Sequence, residues 1–255
     1  MRITERIKYY GYTYDNNGNL TSDGTLAYTW DRANRLLSHD GISYAYDGLG
    51  NRIKLFNQLG SSATETTTYL PDMQGGLTEV LRASTNQWIY GNSSSITRSY
   101  VHEPRGLGAY YLEKSGMAYA GFIPRWMDTL EDGLGSIRAE INHNSQVIAG
   151  TRTMNPYGDV MTDYNYGTMD SGYGFTGEQI DPNELVYLRA RYYDPNVGVF
   201  ASLDPFEGIN SRPMSMNGYS WVEGNVANWS DASGMTPCIN ESTCEQIREN
   251  PSMYN

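Results

Sequence analysis

Tyr12-Thr13-Tyr14-Asp15-Asn16-Asn17-Gly18-Asn19-Leu20 sets a pattern that returns twice. The second copy is Tyr28-Thr29-Trp30-Asp31-Arg32-Ala33-Asn34-Arg35-Leu36. The third is Tyr44-Ala45-Tyr46-Asp47-Gly48-Leu49-Gly50-Asn51-Arg52-Ile53. Asp15, Asp31 and Asp47 are 16 residues apart. Side chains of a strand alternate between its faces, so Tyr-x-Tyr puts two aromatics on one face. Asp followed by Gly or Asn is turn chemistry: Asp caps the turn, and Gly or Asn takes the positive φ. Leu or Ile then resumes a strand. Each copy is read as strand–turn–strand, and neighbours should pair in an antiparallel sheet. One such hairpin cannot bury its own face, whereas stacked copies can.

The rest of the composition agrees with this reading. The chain has 255 residues, with 22 Tyr and 27 Gly but only 5 Phe; charged residues make up 18%. That length allows one large domain or two small ones. The aromatics argue against disorder. No apolar run is long enough for a membrane helix, and MRITERIKYY lacks the apolar stretch of a signal peptide. Leu/Ala heptads are missing, which speaks against a helical bundle. The net charge of −11 argues against a phosphate-binding surface, hence against a nucleic-acid partner. It suits a soluble protein outside the cell or on its surface.

Further along, Gln87-Trp88-Ile89-Tyr90, Tyr100-Val101-His102 and Ala109-Tyr110-Tyr111-Leu112 read as strands. Ser84-Thr85-Asn86 and Gly91-Asn92-Ser93-Ser94-Ser95 read as turns or loops. Leu185 to Pro195 reads as one strand. Tyr187, Arg189 and Arg191 share one face of it, and Leu188, Ala190 and Tyr192 the other. Asp194-Pro195-Asn196-Val197-Gly198 should turn the chain, and Asp204-Pro205 should end the return strand. That hairpin would bring Arg191 towards Asp204. His39, His102 and His143 are scattered and read as structural or surface residues, so neither a metal nor another cofactor is expected. Cys238 and Cys244 fit no usual zinc spacing; a small disulfide loop and two free thiols both remain open. Glu245 to Glu249 could form a helical turn or two, stopped at Asn250-Pro251. Asn92-Ser93-Ser94, Asn228-Trp229-Ser230 and Asn240-Glu241-Ser242 fit the short glycosylation sequon.

The three copies resemble the YD repeat of RHS-repeat proteins, a family that includes bacterial polymorphic toxins, the C components of Tc toxins and teneurins. A second resemblance strengthens the first. Arg125 to Arg138 is similar to the family's "HTDxLGSVR" stretch without its leading His. Gly174-Phe175-Thr176-Gly177 is similar to "GFTG", and Leu185 to Pro195 to "GLYYxRARYYDP". Gly198 to Pro205 resembles "GRFxSxDP", with Val199 in place of Arg. Asn217-Gly218-Tyr219-Ser220-Trp221 resembles "NxYxY". The resemblance implies an all-β fold: antiparallel strand–turn–strand repeats coil into a β-sheet spiral closed by an RHS core. It also divides the chain into a YD-repeat region (1–131), an RHS-associated core (132–235) and a short C-terminal tail (236–255).

In toxin members of the family the core is implied to be an aspartyl protease that cuts its own chain. Carried over by position, the resemblance implies Asp204 as base, Asp231 as second carboxylate and Arg191 as the residue that orients Asp204. The bond cut would be Met235–Thr236. Two carboxylates near one water can divide the work when one stays protonated and polarises the carbonyl. This chain departs from the pattern in having Ala232 after Asp231 instead of Pro, Gly224-Asn225-Val226 instead of "NNP", and Met235 instead of Leu. The expected function is a structural β-shell segment or end cap, with self-cleavage after Met235 as its only enzyme activity. Its partners would be the rest of a longer RHS protein or copies of itself. The alternatives are a self-assembling fibre or surface layer, and an adhesion or carbohydrate-binding module.

Overall fold

The computed structural model describes residues 11–74, 77–103, 106–161, 166–235 and 237. Strands β1 (Tyr12–Tyr14) and β2 (Leu20–Asp23) pair around the first turn. The main sheet has twelve strands, each antiparallel to the one before it in sequence. It opens with β3 (Tyr28–Trp30), β4 (Leu36–His39), β5 (Ile42–Tyr46) and β6 (Arg52–Gln58). The long strands β7 (Ala63–Asp72), β8 (Glu79–Ile89), β9 (Asn92–Glu103) and β10 (Gly106–Gly116) follow. It closes with β11 (Arg125–Glu131), β12 (Ile137–Asn142), β13 (Ile148–Thr151) and β14 (Tyr166–Gly167). A four-stranded sheet holds β15 (Gln179–Ile180), β16 (Val186–Leu188), β17 (Arg191–Asp194) and β18 (Val199–Phe200).

The repeat turns form as their residues dictate. Asp15 Oδ1 accepts the N–H groups of Asn17 and Asn19, and Gly18 sits at φ 80°. Asp31 and Asp47 do the same for residues two and four positions on, with Asn34 and Gly50 at positive φ. The aromatic before each later Asp also ties its repeat to the previous one. Trp30 Nε1 donates to Leu20 O at 2.7 Å, and the Tyr46 hydroxyl donates to Leu36 O at 2.8 Å. The repeats are therefore stapled in sequence by bonds ten residues long.

The small sheet packs against the repeats. Its side chains alternate, so one face carries Leu185, Tyr187 and Tyr192 and the other Val186, Leu188 and Tyr193. The first face packs on Leu20, Tyr28, Leu36, Tyr44 and Leu55 of the repeats. The second packs with Phe175, Phe200 and Trp221. Burying both faces is what makes this short sheet nearly continuous in large side chains. A third cluster, with Tyr100, Tyr110, Leu112 and Ile137, covers one face of the long strands.

Three sequence readings need correction. Ser84-Thr85-Asn86 lies within β8, and Asn92 to Ser95 lies within β9. The reversal is at Tyr90-Gly91, both at positive φ. Small polar residues are at home here because β8 is paired on both sides, and the Thr85 hydroxyl meets that of buried Thr67 at 2.9 Å. Leu185 to Pro195 is not one strand either. The chain reverses at Arg189-Ala190, with Arg189 at φ 61°, so Leu188 pairs with Arg191. The return strand β18 ends at Phe200, before Asp204. The cysteines, the tail helix and Thr236 lie outside the described residues.

Candidate functional site

Asp204 is placed by the first repeat. Leu20 N–H donates to Ala201 O at 2.9 Å and Leu203 N–H to Gly18 O at 3.2 Å. Asp204 N–H then donates to Gly218 O at 3.0 Å. Its Oδ1 accepts Phe206 N–H at 2.8 Å, the turn that Asp204-Pro205 favours. Its Oδ2 is thereby free to face Arg191, whose Nη2 stands 2.7 Å away.

Arg191 opens β17 and is buried. Its guanidinium lies 3.7 Å over the Phe200 ring, and Nη1 donates to Gly218 O at 2.9 Å. Asp231 Oδ2 is 3.8 Å from the same Nη2 that Asp204 holds. The two carboxylates therefore flank one guanidinium nitrogen. Burial pushes the Arg191 guanidinium below its ordinary value, and the charges of Asp204 and Asp231 work against that. The cation offsets the repulsion that two close carboxylates would otherwise feel.

The segment from Asp231 to Met235 curls over its own first side chain. Asp231 Oδ1 accepts the Ser233 hydroxyl at 2.9 Å and Met235 N–H at 3.2 Å. The tip of the β16–β17 hairpin then grips three successive carbonyls. Arg189 Nη1 donates to Ala232 O at 2.9 Å, Ala190 N–H to Ser233 O at 3.3 Å, and Arg191 Nε to Gly234 O. The next carbonyl in this series belongs to Met235. Gly234 has φ 71°, and a Cβ there would lie 2.6 Å from Leu188 O, so only glycine fits. Met235, Arg191 and Asp204 border a cleft of about 650 Å³ that Asn17, Asn34 and Gly50 of the repeat turns also line.

The structure thus brings Arg191, Asp204, Asp231 and Met235 together. The sequence reading missed Arg189, Ala190 and Gly218 as parts of the site. Asp-x-x-Gly at Asp231 to Gly234 signals a turn; the grip of Arg189 has no local signal, because it depends on the hairpin reversing at that residue.

The model of the teneurin YD-shell family matches residues 1–226. The chain belongs to this family. Among curated relatives of this YD-shell chain are two from Bacillus. The tRNA3(Ser)-specific nuclease WapA of Bacillus spizizenii is 31% identical over 236 residues. The tRNA nuclease WapA of Bacillus subtilis strain 168 is 29% identical over 239 residues. Each match covers 88% of this chain but only 9% of the relative, so the YD-shell chain corresponds to about a tenth of either protein. Among solved structures, the Photorhabdus luminescens Tc holotoxin pore superposes with a TM-score of 0.70 at 20% identity. That match covers 89% of this chain and 11% of the other. The crystal structure of TcdB2-TccC3 gives a TM-score of 0.71 at 20% identity, over 87% of this chain and 11% of that one. These likenesses are of fold: the all-β YD shell.

Proposed function

We propose that this chain is the closing segment of a longer YD shell outside the cell or on its surface, and that it cuts itself after Met235. The observation that carries the second part is the serial grip on the carbonyls of Ala232, Ser233 and Gly234 beside two carboxylates. A chain held in this way presents its next carbonyl at a fixed place, which is the main requirement for a fast intramolecular reaction. Asp204 takes a proton from water, and the water oxygen adds to the Met235 carbonyl carbon. Asp231, protonated, polarises that carbonyl. The C–N bond to Thr236 then breaks, and the amine leaves with the proton that Asp204 took from water. Arg191 keeps Asp204 in place throughout. Residues 1–131, 132–235 and 236–255 serve in this reading as repeat region, core and released tail. The nuclease activity in the names of the Bacillus proteins is theirs and is not assigned to this segment.

Intact mass of the chain and of Asp204→Asn tests the cleavage. The wild type should appear as two pieces cut between Met235 and Thr236, and the variant as one. An uncut wild type would overturn it. Negative-stain imaging tests the shell role: discrete particles support it, whereas extended polymers favour self-assembly into a fibre or layer. An adhesion role rests on the exposure of Trp88 and Tyr90 at one hairpin tip. Silence on a glycan array would count against it.

A further inference from the structure

A pair of side chains far from the cleft meets in an arrangement that suits covalent chemistry. Lys114, on the face of β10 that carries Tyr110 and Leu112, and Asp170, in the segment after β14, are 56 residues apart in sequence. Lys114 Nζ is 2.9 Å from Asp170 Oδ1 and 2.8 Å from Oδ2. The two side chains are 13% and 20% exposed. The rings of Tyr119 and Phe122 lie 5.3 and 5.5 Å from Nζ and wall that end of the pair.

The aspartate is held from behind as well. Asp170 N–H donates to Glu140 Oε2 at 2.8 Å and Ser171 N–H to Glu140 Oε1 at 3.0 Å. Glu140 is fully buried and also accepts the Tyr110 hydroxyl at 2.5 Å. Arg98 Nε donates to the Asp170 carbonyl. The backbone at Asp170 is thus fixed on both sides while its carboxyl faces one amine. With Nζ within 3 Å of both oxygens of one carboxyl, the pair is held close, and well-oriented groups held this way reach effective molarities of roughly 10⁵ M or more.

We propose that Lys114 and Asp170 become joined by an isopeptide bond that the folded chain forms unaided. The reaction begins when a proton passes from the ammonium to the carboxylate that it touches. The free electron pair of Nζ attacks Cγ of the acid. The tetrahedral adduct expels its hydroxyl as water with one of the two protons left on nitrogen, and the other stays as the amide N–H. One C–N bond forms, one C–O bond breaks, and no oxidant or other reactant is needed. The product is an amide that ties a central strand of the large sheet to the segment leading into Tyr173 and Phe175.

Intact mass of the purified full chain tests this, with Lys114→Arg as the control. The wild type should weigh one water less than its sequence requires, and protease digestion should yield a branched peptide joining Lys114 to Asp170. Lys114→Arg should have its full sequence mass. If the chain has cut itself after Met235, the deficit stays on the piece that carries both residues. A folded wild type at full sequence mass overturns the proposal and leaves an ion pair. So does a deficit that persists in Lys114→Arg, which would mean a cyclised aspartate. Should Lys114→Arg fail to fold, the presence or absence of the branched peptide in the wild type decides alone.

Discussion

Arg52 and Asp181 form an ion pair of 2.5 Å between side chains only 1% and 2% exposed. Arg52 belongs to the third repeat, and Asp181 follows β15 of the core. Four tyrosine rings surround the guanidinium, the nearest being Tyr187 at 4.1 Å and Tyr69 at 4.9 Å. Gln179 Oε1 accepts Arg52 Nη2 at 2.7 Å. The charge is thus desolvated, engaged through Nη1 and Nη2 while Nε has no hydrogen bond, and it locks the repeats to the core sheet.

Removing one partner of such a pair leaves the other buried and uncompensated. We expect Arg52→Met to lower stability by about 3–5 kcal/mol. The double variant Arg52→Met/Asp181→Leu should recover much of that loss. Urea unfolding midpoints of the single and double variants check both statements. Equal midpoints for wild type and Arg52→Met would show that the tyrosines, not the charges, hold the joint.

The repeat turns should respond to acid. The Asn51 side chain, against a smaller effect of burial, and the N–H groups of Asn51 and Leu49 hold the Asp47 carboxyl below its usual range. For Asp31, burial pushes upwards, but hydrogen bonds from Arg35 and Ala33 outweigh it. With the native values depressed, the unfolded chain takes up protons first as pH falls. The stabilisation is complete above about pH 4 and is lost as pH drops through the native values. Carboxyl carbon shifts of Asp31 and Asp47, followed by NMR titration, should therefore turn over below about pH 4. Asp47→Asn should flatten the acid limb of the stability curve.

Gly234→Ala addresses the grip on the candidate cleavage segment. Its methyl would meet Leu188 O at 2.6 Å in a backbone region that disfavours side chains, so the segment must shift. A displacement of an ångström costs about 100-fold in rate. We expect the time course of self-cleavage to slow by about that factor, while circular dichroism stays that of the wild type.

Two tryptophans separate core from surface. Trp221 is 1% exposed and packs on Tyr193 at a ring distance of 4.4 Å, whereas Trp88 is 53% exposed. Trp221→Ala should cost about 3–5 kcal/mol. Trp88→Ala should stay within about 0.5 kcal/mol. Chemical unfolding of both variants gives the comparison.

Local chemistry was legible and long-range pairing was not. The turns at Asp15, Asp31 and Asp47 follow from residues within five positions of one another. The same backbone turn also closes at Asp132, Asn155, Gly174 and Asp181. At Asp132 the side chain still caps it, as Asn155 does in its own copy. At Asp181 the carboxylate has left the turn for Arg52, a partner 129 residues away that no spacing could reveal. The hairpin reversal at Arg189 was hidden for another reason. An alternating run of large β-formers reads as strand, and an arginine at positive φ is kept there by tertiary bonds to Glu178, Thr78 O and Ala232 O. Arg191 and Asp204 were paired correctly because a turn, Asp194 to Gly198, lies between them and brings the chain back. The histidines divide: His39 stacks on Tyr28 at 3.7 Å and His102 Nε2 meets Val80 O at 2.9 Å, whereas His143 is exposed and its Nδ1 meets Asp128 Oδ2 at 2.9 Å.

The hairpin tip that holds Ala232, Ser233 and Gly234 is occupied by its own chain from the moment it folds. A tethered occupant has an effective concentration near the millimolar range, and it needs no diffusion to return. A free peptide of the same sequence would have to compete against it at every instant. Such a mimic can enter only while the core is still assembling, so sensitivity to it would be a clock for folding, not a property of the finished protein.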